Sequence, residues 1–141
     1  MRILFICTGN TCRSPMAQAI IGHISNHGHT CASAGLAAYP GRPASEYAMD
    51  ALGEIGIDFV HTSRQINERD QNNYDLFFAM TKAHKTALIN LGFDPEEIIT
   101  PVQDVTDPYG GTLDHYRAVR DQIKTEMEHL LNFLSDENDI P

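Results

Sequence analysis

Short apolar runs alternate with longer amphipathic segments along the 141-residue chain. The run at residues 2–6, Arg-Ile-Leu-Phe-Ile, is typical of a buried strand, and the Leu-Phe-Phe-Ala-Met run at residues 76–80 predicts a central strand. Residues 30–35 are expected to form a short strand that closes on a glycine turn, and residues 98–99 a last short strand. The predicted strands are therefore spread over most of the chain.

Helical spacing of apolar positions fills the intervals between these strands. An amphipathic helix is predicted over residues 16–24, with Ser14 as its cap and Pro15 in its first turn. The tail from Ser135 to Pro141 is polar and acidic, and we expect it to fray. Further helices are predicted over residues 44–55, from the capping residue Thr81 to Leu91 before Gly92, and from about Thr112 to Leu134.

Alternating strands and helices are typical of a parallel sheet that helices cover on both faces. The predicted fold class is therefore α/β, a three-layer α/β/α arrangement, and we expect residues 1–141 to form a single domain. In such sheets ligands bind beyond the carboxyl ends of the strands. The loop at residues 7–13, between the first strand and the first helix, falls at such an end.

Charge and composition narrow the possible partners. The formal net charge of −9 argues against nucleic acid or an anionic membrane as a general partner. No apolar stretch is long enough to span a bilayer and no signal peptide is visible, so we expect a cytoplasmic protein. The three cysteines form no disulfide framework, which fits a reducing compartment and reactive thiols.

The strongest chemical signal lies in the loop after the first strand, where a cysteine enters a tight turn that ends in a helix. Successive backbone N–H groups in such a loop form an anion nest, which the helix dipole strengthens. Gly9 and Asn10 are residue types that tolerate the positive φ that a nest requires. We therefore predict a phosphate-binding loop formed by Thr8, Gly9, Asn10, Thr11, Cys12, Arg13 and Ser14.

Cys7 is the predicted nucleophile of this loop. A thiol in the field of a helix N-terminus is expected to have a pKa below neutrality. Arg13 supplies a planar fork for bidentate contact with two phosphoryl oxygens. We expect Asn10 to hold the loop open through hydrogen bonds and the Ser14 hydroxyl to make the sulfur a better leaving group. Such a site attacks phosphate esters or phosphoramidates with sulfur.

A departing atom needs a proton, so the site also requires an acid. Asp107 is favoured, because Gly110 and Gly111 would let its loop approach the cysteine closely. It would act first as the acid and then as the base for a hydrolytic water. Tyr109 is expected to form one wall of a substrate pocket. The candidate acids in loops near the strand ends are Asp104, Asp107 and Asp114.

The remaining thiols and the histidines carry weaker signals. Cys12 is expected either to pack in the first helical turn or to form a reversible disulfide with Cys7 that prevents overoxidation. Cys31 is predicted to lie in the core. The seven histidines show no ligand spacing with the cysteines, so we predict neither a metal nor another cofactor. His27 and His29 are expected in a solvated, glycine-containing turn.

Together these residues resemble the low-molecular-weight protein-tyrosine phosphatase family. The resemblance implies a four-stranded parallel sheet with flanking helices and no metal. It also implies Cys7 as nucleophile, Arg13 as phosphate binder, Asp107 as general acid, and Asn10 and Ser14 as supports. A phosphorylated protein would be the substrate, a cysteinyl-phosphate the intermediate and inorganic phosphate the product. The resemblance rests on residues 7–15, 33–35, 74–81 and 107–109.

Two positions bear on the substrate. Thr11 stands where tyrosine-specific members usually carry a bulky aliphatic residue, and Gly110 where they carry a second aromatic residue after the one matching Tyr109. In both respects the chain looks like the bacterial protein-arginine phosphatase branch. A guanidinium is planar, polar and cationic, so the Thr11 hydroxyl and the Asp107 carboxylate can engage it. A phenyl ring gains more from apolar walls, so we favour phosphoarginine over phosphotyrosine, with neutral loop variation as the alternative.

Two other functions fit the sequence less well. Arsenate reductases can share this loop and fold, but they relay oxidation through two further cysteines after the central strand. Residues 80–101 contain no cysteine, which argues against that chemistry. A non-catalytic phosphoprotein-binding module would need neither sulfur nor an acid, so Cys7 and Asp107 argue against it.

Overall fold

The computed structural model of the chain describes residues 1–26 and 28–138. Within these residues the strands are β1 (Arg2–Cys7), β2 (Thr30–Gly35), β3 (Leu76–Ala79) and β4 (Ile98–Ile99). The α-helices are α1 (Arg13–Ile24), α2 (Glu46–Gly53), α3 (Asp70–Asn73), α4 (Lys82–Asn90) and α5 (Leu113–Asn138). A 3₁₀ turn at Pro95–Glu97 leads into β4.

Strand β1 lies inside the sheet, whose order is β2-β1-β3-β4, and all neighbouring strands are parallel. The register pairs Cys7 with Gly35 of β2 and Ile6 with Ala79 of β3. The carboxyl ends of these three strands therefore meet at one edge of the sheet, where Cys7 stands. The predicted four-stranded parallel sheet is confirmed.

Alternate residues of β1 pack on opposite faces of the sheet. Ile3 and Phe5 join a core cluster with residues of α1, α2 and α5, whereas Leu4 and Ile6 pack with Leu88 of α4 on the other face. All five side chains are 0% exposed. Burial of a large apolar side chain of this kind contributes about 1.5–3 kcal/mol relative to exposure. Helices thus cover both faces, which confirms the three-layer α/β/α architecture.

Helix α1 differs from the prediction in its start and in its burial. It begins at Arg13, and its N-cap residue, Cys12, makes no capping hydrogen bond through its side chain. Ser14 is therefore not the cap, because its hydroxyl is engaged with Cys7 and Asn10 instead. The first half of the helix is not amphipathic either, since it packs against the sheet and against α5. Its buried apolar residues are Pro15, Met16, Ala17, Ala19, Ile20 and Ile21.

Helix α2 is shorter than predicted, spanning Glu46–Gly53 rather than residues 44–55. It starts later because the Ser45 hydroxyl caps it by accepting a hydrogen bond from the Ala48 N–H at 3.4 Å. The apolar pattern predicts Tyr47 on the same face as Ala48, Ala51 and Leu52, and this is wrong, because Tyr47 is 43% exposed. The buried face consists of Ala48, Ala51 and Leu52.

The remaining elements agree with the sequence pattern more closely. Thr81 caps α4 by accepting a hydrogen bond from the His84 N–H at 3.0 Å, and Gly92, with a φ of +99°, follows its end. The short α3 was not predicted, because its Asp-Gln-Asn-Asn sequence carries no apolar spacing. Cys31, predicted in the core, packs against the main core cluster but is only partly buried, since it stands near the start of the edge strand β2.

An ion-pair network fastens α2 to α5. Glu54, which follows α2, accepts hydrogen bonds from Arg117 at 2.6 Å and from Arg120 at 2.7 Å. Arg120 also donates to the Ala51 carbonyl at 2.9 Å. The hydrogen bond from Arg117 is the largest of the effects that lower the pKa of Glu54 to about 2. Single exposed ion pairs contribute little to stability. Here two arginines share one carboxylate, so the pairs form a network that links α2 to α5.

Two expectations fall on parts of the chain outside the described residues, namely the turn at His27 and the end of the tail at residues 139–141. Helix α5 continues to Asn138, beyond Leu134, where the sequence pattern places its last core position. None of the helices described in residues 1–26 and 28–138 is long and apolar enough to cross a membrane.

Candidate active site

A cavity of about 300 Å³ opens at the carboxyl end of β1. Every member of the predicted phosphate-binding loop lines it except Ser14, which is fully buried. The loop after β2 and the segment before α5 supply the rest of the wall. The lining residues are Cys7, Thr8, Gly9, Asn10, Thr11, Cys12, Arg13, Ala37, Tyr39, Arg42, Asp107 and Tyr109.

The side chain and backbone of Asn10 hold the loop in shape. The residue is 0% exposed and has a φ of 57°. Its Nδ2 donates to the Ser14 hydroxyl at 2.8 Å, and its Oδ1 accepts from the Arg64 backbone N–H at 3.0 Å. Its carbonyl oxygen accepts from Nε2 of His61 at 2.7 Å. Asn10 thus ties the loop to the start of α1 and to residues 61–64.

Gly9 was expected to provide conformational freedom in the loop, but the structure requires that freedom at other positions. Asn10, not Gly9, has the positive φ, and a Cβ at Gly9 would meet only the Thr11 hydroxyl at 3.8 Å. The close approach occurs instead at Gly35, the last residue of β2. A Cβ there would lie 2.5 Å from the Thr8 carbonyl oxygen and 3.2 Å from the Asn10 Cβ. The sheet can therefore bring β2 beside the loop only if position 35 lacks a side chain.

Cys7 lines the cavity and is only 2% exposed. Its Sγ is 2.9 Å from the Ser14 hydroxyl and accepts the Asn10 backbone N–H at 3.3 Å. Because the Ser14 oxygen already accepts a hydrogen bond from Asn10 Nδ2, its own hydrogen is available to the sulfur. Ser14 therefore has the geometry to donate to a thiolate.

Burial raises the pKa of the Cys7 thiol above its ordinary value. The Ser14 hydrogen bond, the Arg13 charge and the Asn10 N–H all lower it, but they do not offset the loss of hydration. In this geometry burial therefore opposes the pKa below neutrality that the loop motif predicts for Cys7. The sequence motif identifies the groups that favour a thiolate, whereas the depth of burial becomes visible only in the structure.

The guanidinium of Arg13 is held by backbone and side-chain oxygens, with the residue 6% exposed. Its Nη1 donates to the Val105 carbonyl at 3.1 Å, and its Nη2 lies 3.5 Å from the Thr8 hydroxyl and 3.6 Å from Asp107 Oδ2. Val105 is in turn bound to the Met80 carbonyl at 3.0 Å, just beyond β3. A guanidinium has five donors, so N–H groups remain for an anion in the cavity.

Of the three candidate acids, Asp107 lines the cavity. Its side chain is 51% exposed, and its Oδ1 accepts the Tyr109 backbone N–H at 3.0 Å, which is the local turn that Asp favours. Tyr109 lines the cavity as well and is 74% exposed. Asp104 accepts a hydrogen bond from the first N–H of α4, and Asp114 pairs with Arg117 on α5. Both of the other carboxylates are thus engaged in holding helices.

The thiol of Cys12 faces the helices behind the loop. Its Sγ lies 3.3 Å from the Tyr116 hydroxyl of α5 and 3.4 Å from the Ser45 hydroxyl at the start of α2. These contacts favour the packing interpretation of Cys12. Cys7 and Cys12 are both free thiols in this structure.

Three cavity residues, Ala37, Tyr39 and Arg42, were missed in the sequence. They lie in the loop after β2, where the Arg42 guanidinium is 4.7 Å from the centre of the Tyr39 ring. Ser63 holds this loop, since its hydroxyl donates to the Tyr39 carbonyl at 2.6 Å. A signal for them existed: parallel neighbours end at the same edge, so the loop after β2 had to lie beside the loop after β1.

Two histidines without ligand spacing turn out to contact the loop. His61 binds the Asn10 carbonyl, and His84 Nε2 lies 2.9 Å from the Thr8 hydroxyl. Burial lowers the pKa of both rings, that of His84 to about 4. Over the described parts of the chain, no group of three or more His, Cys, Asp or Glu residues could hold a metal ion.

A family model described as low molecular weight phosphotyrosine protein phosphatase matches residues 2–139. The chain belongs to this family and is a low molecular weight protein phosphatase, of the kind that uses a cysteine. Phosphorylated proteins are the substrates that membership of this family implies.

Among relatives, the chain is similar to a protein-arginine-phosphatase of Geobacillus stearothermophilus, with 36% identity over 96% of this chain and 97% of that protein. A protein-arginine-phosphatase of Bacillus subtilis is 38% identical over 92% of this chain and 94% of its own length. The low molecular weight protein-tyrosine-phosphatase PtpB of Staphylococcus haemolyticus is 35% identical over 87% of this chain and 92% of its own.

Solved structures of the same family superpose closely on this chain. The YwlE arginine phosphatase from Geobacillus stearothermophilus has a TM-score of 0.91 at 36% identity, covering 96% of this chain and 94% of that one. A protein tyrosine phosphatase from Entamoeba histolytica also reaches 0.91, at 28% identity, covering 98% and 99%. The fold is thus shared by relatives named for both substrates.

We predict that Gly35→Ala disrupts the loop. The added methyl would overlap the Thr8 carbonyl, so we expect a loss of about 1–3 kcal/mol in the free energy of unfolding and a fall in kcat. Gly53→Ala is the matched control, because nothing lies within 4 Å of a Cβ there. It should keep kcat and gain about 0.5–1 kcal/mol, as expected for Ala in a helix. Urea unfolding and hydrolysis of an aryl phosphate measure both, and wild-type behaviour of Gly35→Ala would contradict the prediction.

We also predict that Ser14→Ala raises the pKa of Cys7 further, because the Ser14 hydrogen bond lowers it. The pH dependence of Cys7 alkylation by iodoacetamide, followed on the Cys7 peptide by mass spectrometry, measures the pKa. Ser45→Ala is the control, since its hydroxyl contacts the thiol of Cys12 instead. A Cys7 pKa that is unchanged or lower in Ser14→Ala would show that the hydroxyl does not stabilise the thiolate.

Proposed function

We propose that this protein hydrolyses phosphoarginine side chains of proteins through a cysteinyl-phosphate intermediate. The observation that carries the proposal is the convergence of Cys7, Arg13 and Asp107 on one cavity that Thr11 also lines. The sulfur would attack phosphorus, the guanidinium would bind the phosphoryl oxygens and the carboxyl group would serve the leaving group. Neither a metal nor another cofactor takes part in the proposed reaction.

In the first step the phosphoryl group enters the nest of loop N–H groups, beside Arg13. The Cys7 proton is released to solvent, and the Ser14 hydroxyl and Arg13 stabilise the resulting thiolate. A sulfur lone pair forms the S–P bond while the P–N bond breaks, and Asp107 gives its proton to the departing guanidine nitrogen. Charge that builds on the equatorial oxygens is met by Arg13.

In the second step water attacks the phosphorus of the cysteinyl-phosphate. The Asp107 carboxylate takes a proton from this water as the O–P bond forms and the S–P bond breaks. The electron pair returns to Cys7, where Ser14 Oγ, 2.9 Å away in the free enzyme, donates a hydrogen bond to the sulfur. Inorganic phosphate leaves, Asp107 is protonated again, and the Cys7 thiolate takes up a proton from solvent, which restores the starting state. In support, a YwlE arginine phosphatase variant 34% identical to this chain is described with a phosphorylated active-site serine.

The preference for phosphoarginine rests on the polar parts of the cavity wall. Thr11 contributes a hydroxyl and Asp107 a carboxylate, both suited to a planar cation with several N–H donors. The relatives named protein-arginine-phosphatase, at 36% and 38% identity, also support phosphoarginine as the substrate. At Gly110, which has a φ of +78°, nothing lies within 4 Å of where a Cβ would be, so the chain presents no second aromatic side chain after Tyr109.

Phosphotyrosine is the second candidate, and one observation favours it. Tyr39 and Tyr109 both line the cavity and are 71% and 74% exposed, so they offer aromatic walls to a phenyl ring. Relatives named protein-tyrosine-phosphatase at 32–35% identity also support this substrate. The ratio of kcat/KM on phosphoarginine and phosphotyrosine peptides decides between them, and a large preference for phosphotyrosine would overturn our choice.

Cys7→Ser tests whether the protein is a catalyst or a binding module. The proposed mechanism predicts turnover by the wild-type protein and its loss in Cys7→Ser. A module that only binds phosphoproteins would have no turnover even as the wild-type protein. Full turnover by Cys7→Ser would contradict the covalent step.

Arsenate reductase activity is disfavoured, because the whole sequence has only three cysteines and none lies at residues 80–101.

We predict that Asp107→Asn slows hydrolysis most for substrates whose leaving group must be protonated as it departs. Loss of a general acid typically costs about 10²–10⁴ in rate, so phosphoarginine turnover should fall by that factor. Hydrolysis of an aryl phosphate with an acidic phenol should fall far less in its phosphorylation step. Asp104→Asn is the control, because that carboxylate caps α4. Single-turnover rates on both substrates measure the effect, and equal losses would exclude Asp107 as the acid.

We predict that Thr11→Ile shifts the preference toward phosphotyrosine. The substitution removes the hydroxyl and adds apolar surface, so the ratio of kcat/KM for phosphoarginine over phosphotyrosine should fall about tenfold, equivalent to one hydrogen bond. Thr11→Ser keeps the hydroxyl and should retain the wild-type ratio. Kinetics on matched peptides measure it. An unchanged ratio in Thr11→Ile would mean that Thr11 is neutral loop variation.

A further inference from the structure

His84 reaches the phosphate-binding loop from the first turn of α4. The residue is 7% exposed, and both ring nitrogens have partners. Nδ1 lies 2.9 Å from the Thr81 hydroxyl at the start of the same helix, and Nε2 lies 2.9 Å from the Thr8 hydroxyl in the loop. Since Thr81 also accepts the His84 backbone N–H at 3.0 Å, the ring is fixed at its base as well as at its tip.

The Thr8 hydroxyl that His84 contacts also faces Arg13. Arg13 Nη2 donates to the Thr8 oxygen at 3.5 Å, and Nη1 donates to the Val105 carbonyl at 3.1 Å. A guanidinium only donates, so each nitrogen needs an oxygen to fix its direction. The backbone fixes the position of the Val105 oxygen. The Thr8 oxygen belongs to an exposed side chain whose rotation is restrained by its hydrogen bond to His84.

The His84 ring remains neutral in this environment. Burial is the largest cause and the neighbouring Arg13 charge the second, and together they lower its pKa to about 4. Asp104 and Asp107 act in the opposite direction and do not reverse the effect. A neutral imidazole has one donor and one acceptor nitrogen, so it can bind a hydroxyl on each side without adding charge next to Arg13.

We propose that His84 is a positioning residue for Arg13 and acts through the hydroxyl of Thr8. It holds the Thr8 oxygen in the direction that aligns the guanidinium with the phosphoryl group, and it touches no reacting atom itself. The inference rests on the proposed function only in assuming that Arg13 binds the phosphoryl oxygens. It applies equally to phosphoarginine and phosphotyrosine, because the phosphoryl group is common to both.

Kinetics of His84→Ala test the proposal, with p-nitrophenyl phosphate as substrate and vanadate as an analogue of the transition state. We expect kcat/KM to fall about tenfold, because one charge-assisted hydrogen bond from Arg13 to the phosphoryl group would no longer be aligned. The inhibition constant of vanadate should rise by a similar factor and that of inorganic phosphate by less. His84→Gln should restore most of the activity, since an amide can bind the Thr8 hydroxyl. His129→Ala, at an exposed position on α5, is the control and should match the wild-type enzyme.

A double-mutant cycle separates this role from a merely structural one. Thr8→Val removes the hydroxyl, so in its background His84→Ala should cause little further loss of activity. Additive losses would mean that His84 acts otherwise and would overturn the proposal. Thr8→Ser keeps the hydroxyl, so in its background His84→Ala should cause the same loss of activity as in the wild-type enzyme. If His84→Ala does not fold, as judged by thermal unfolding, Thr8→Val tests the same contact with His84 in place, and wild-type kinetics in that variant would overturn the proposal.

The outcomes also distinguish this inference from the proposed function. A wild-type enzyme that hydrolyses p-nitrophenyl phosphate, together with unchanged His84→Ala and Thr8→Val variants, would overturn the positioning role alone. A wild-type enzyme that hydrolyses no phosphorylated substrate would overturn the proposed function, and the positioning role with it.

Discussion

The hydrogen bonds of the buried Asn10 are the constraint on which the rest of the site depends. Its left-handed backbone turns the loop, and its side chain joins Ser14 at the start of α1 to the backbone of Arg64. By occupying the Ser14 oxygen, Asn10 also directs the serine hydroxyl at the Cys7 sulfur. One buried amide therefore sets both the shape of the loop and the hydrogen bonding of the nucleophile.

The sheet determines which segments can reach that loop. Because β1 lies between β2 and β3, the segments after all three strands meet around Cys7. The segment after β2 brings Tyr39 and Arg42, and the turn after β3 brings His84. Arg13 and Arg42 thus place two positive charges beside the loop, in a chain whose formal net charge is −9. An anionic group is thus attracted to the loop locally rather than by the protein as a whole.

Much of the fold could be predicted from the sequence, because strands, caps and glycine stops are local signals. The strand at residues 30–35, the Thr81 cap and the Gly92 stop were all evident from a few neighbouring residues. Features that depend on packing could not be predicted. Helix α1 is buried on nearly all sides in its first half because it lies between the sheet and α5, which no periodicity in α1 itself reveals.

The same division applies to the candidate site. The motif around Cys7 names the loop, but it does not reveal how deeply the sulfur is enclosed, and the direction of its pKa shift depends on that depth. Likewise, His84 and Arg42 approach the loop from distant parts of the chain. Finding them from the sequence would require the strand order, since only adjacency in the sheet brings these segments together.

Val105 links Arg13 and Asp107, two charged groups that both line the cavity. Its carbonyl accepts the hydrogen bond from Arg13, its N–H is bound to Met80 beyond β3, and Asp107 follows two residues later. The segment that carries the acid therefore starts from the same anchor that aligns the arginine. The far end of that segment is held by hydrogen bonds within the segment itself, from the Tyr109 N–H to Asp107 and from the Gly111 N–H to the Pro108 carbonyl. Substitutions at Tyr109 can thus change the part of the cavity wall that faces a leaving group, while the hydrogen bond that aligns Arg13 stays in place.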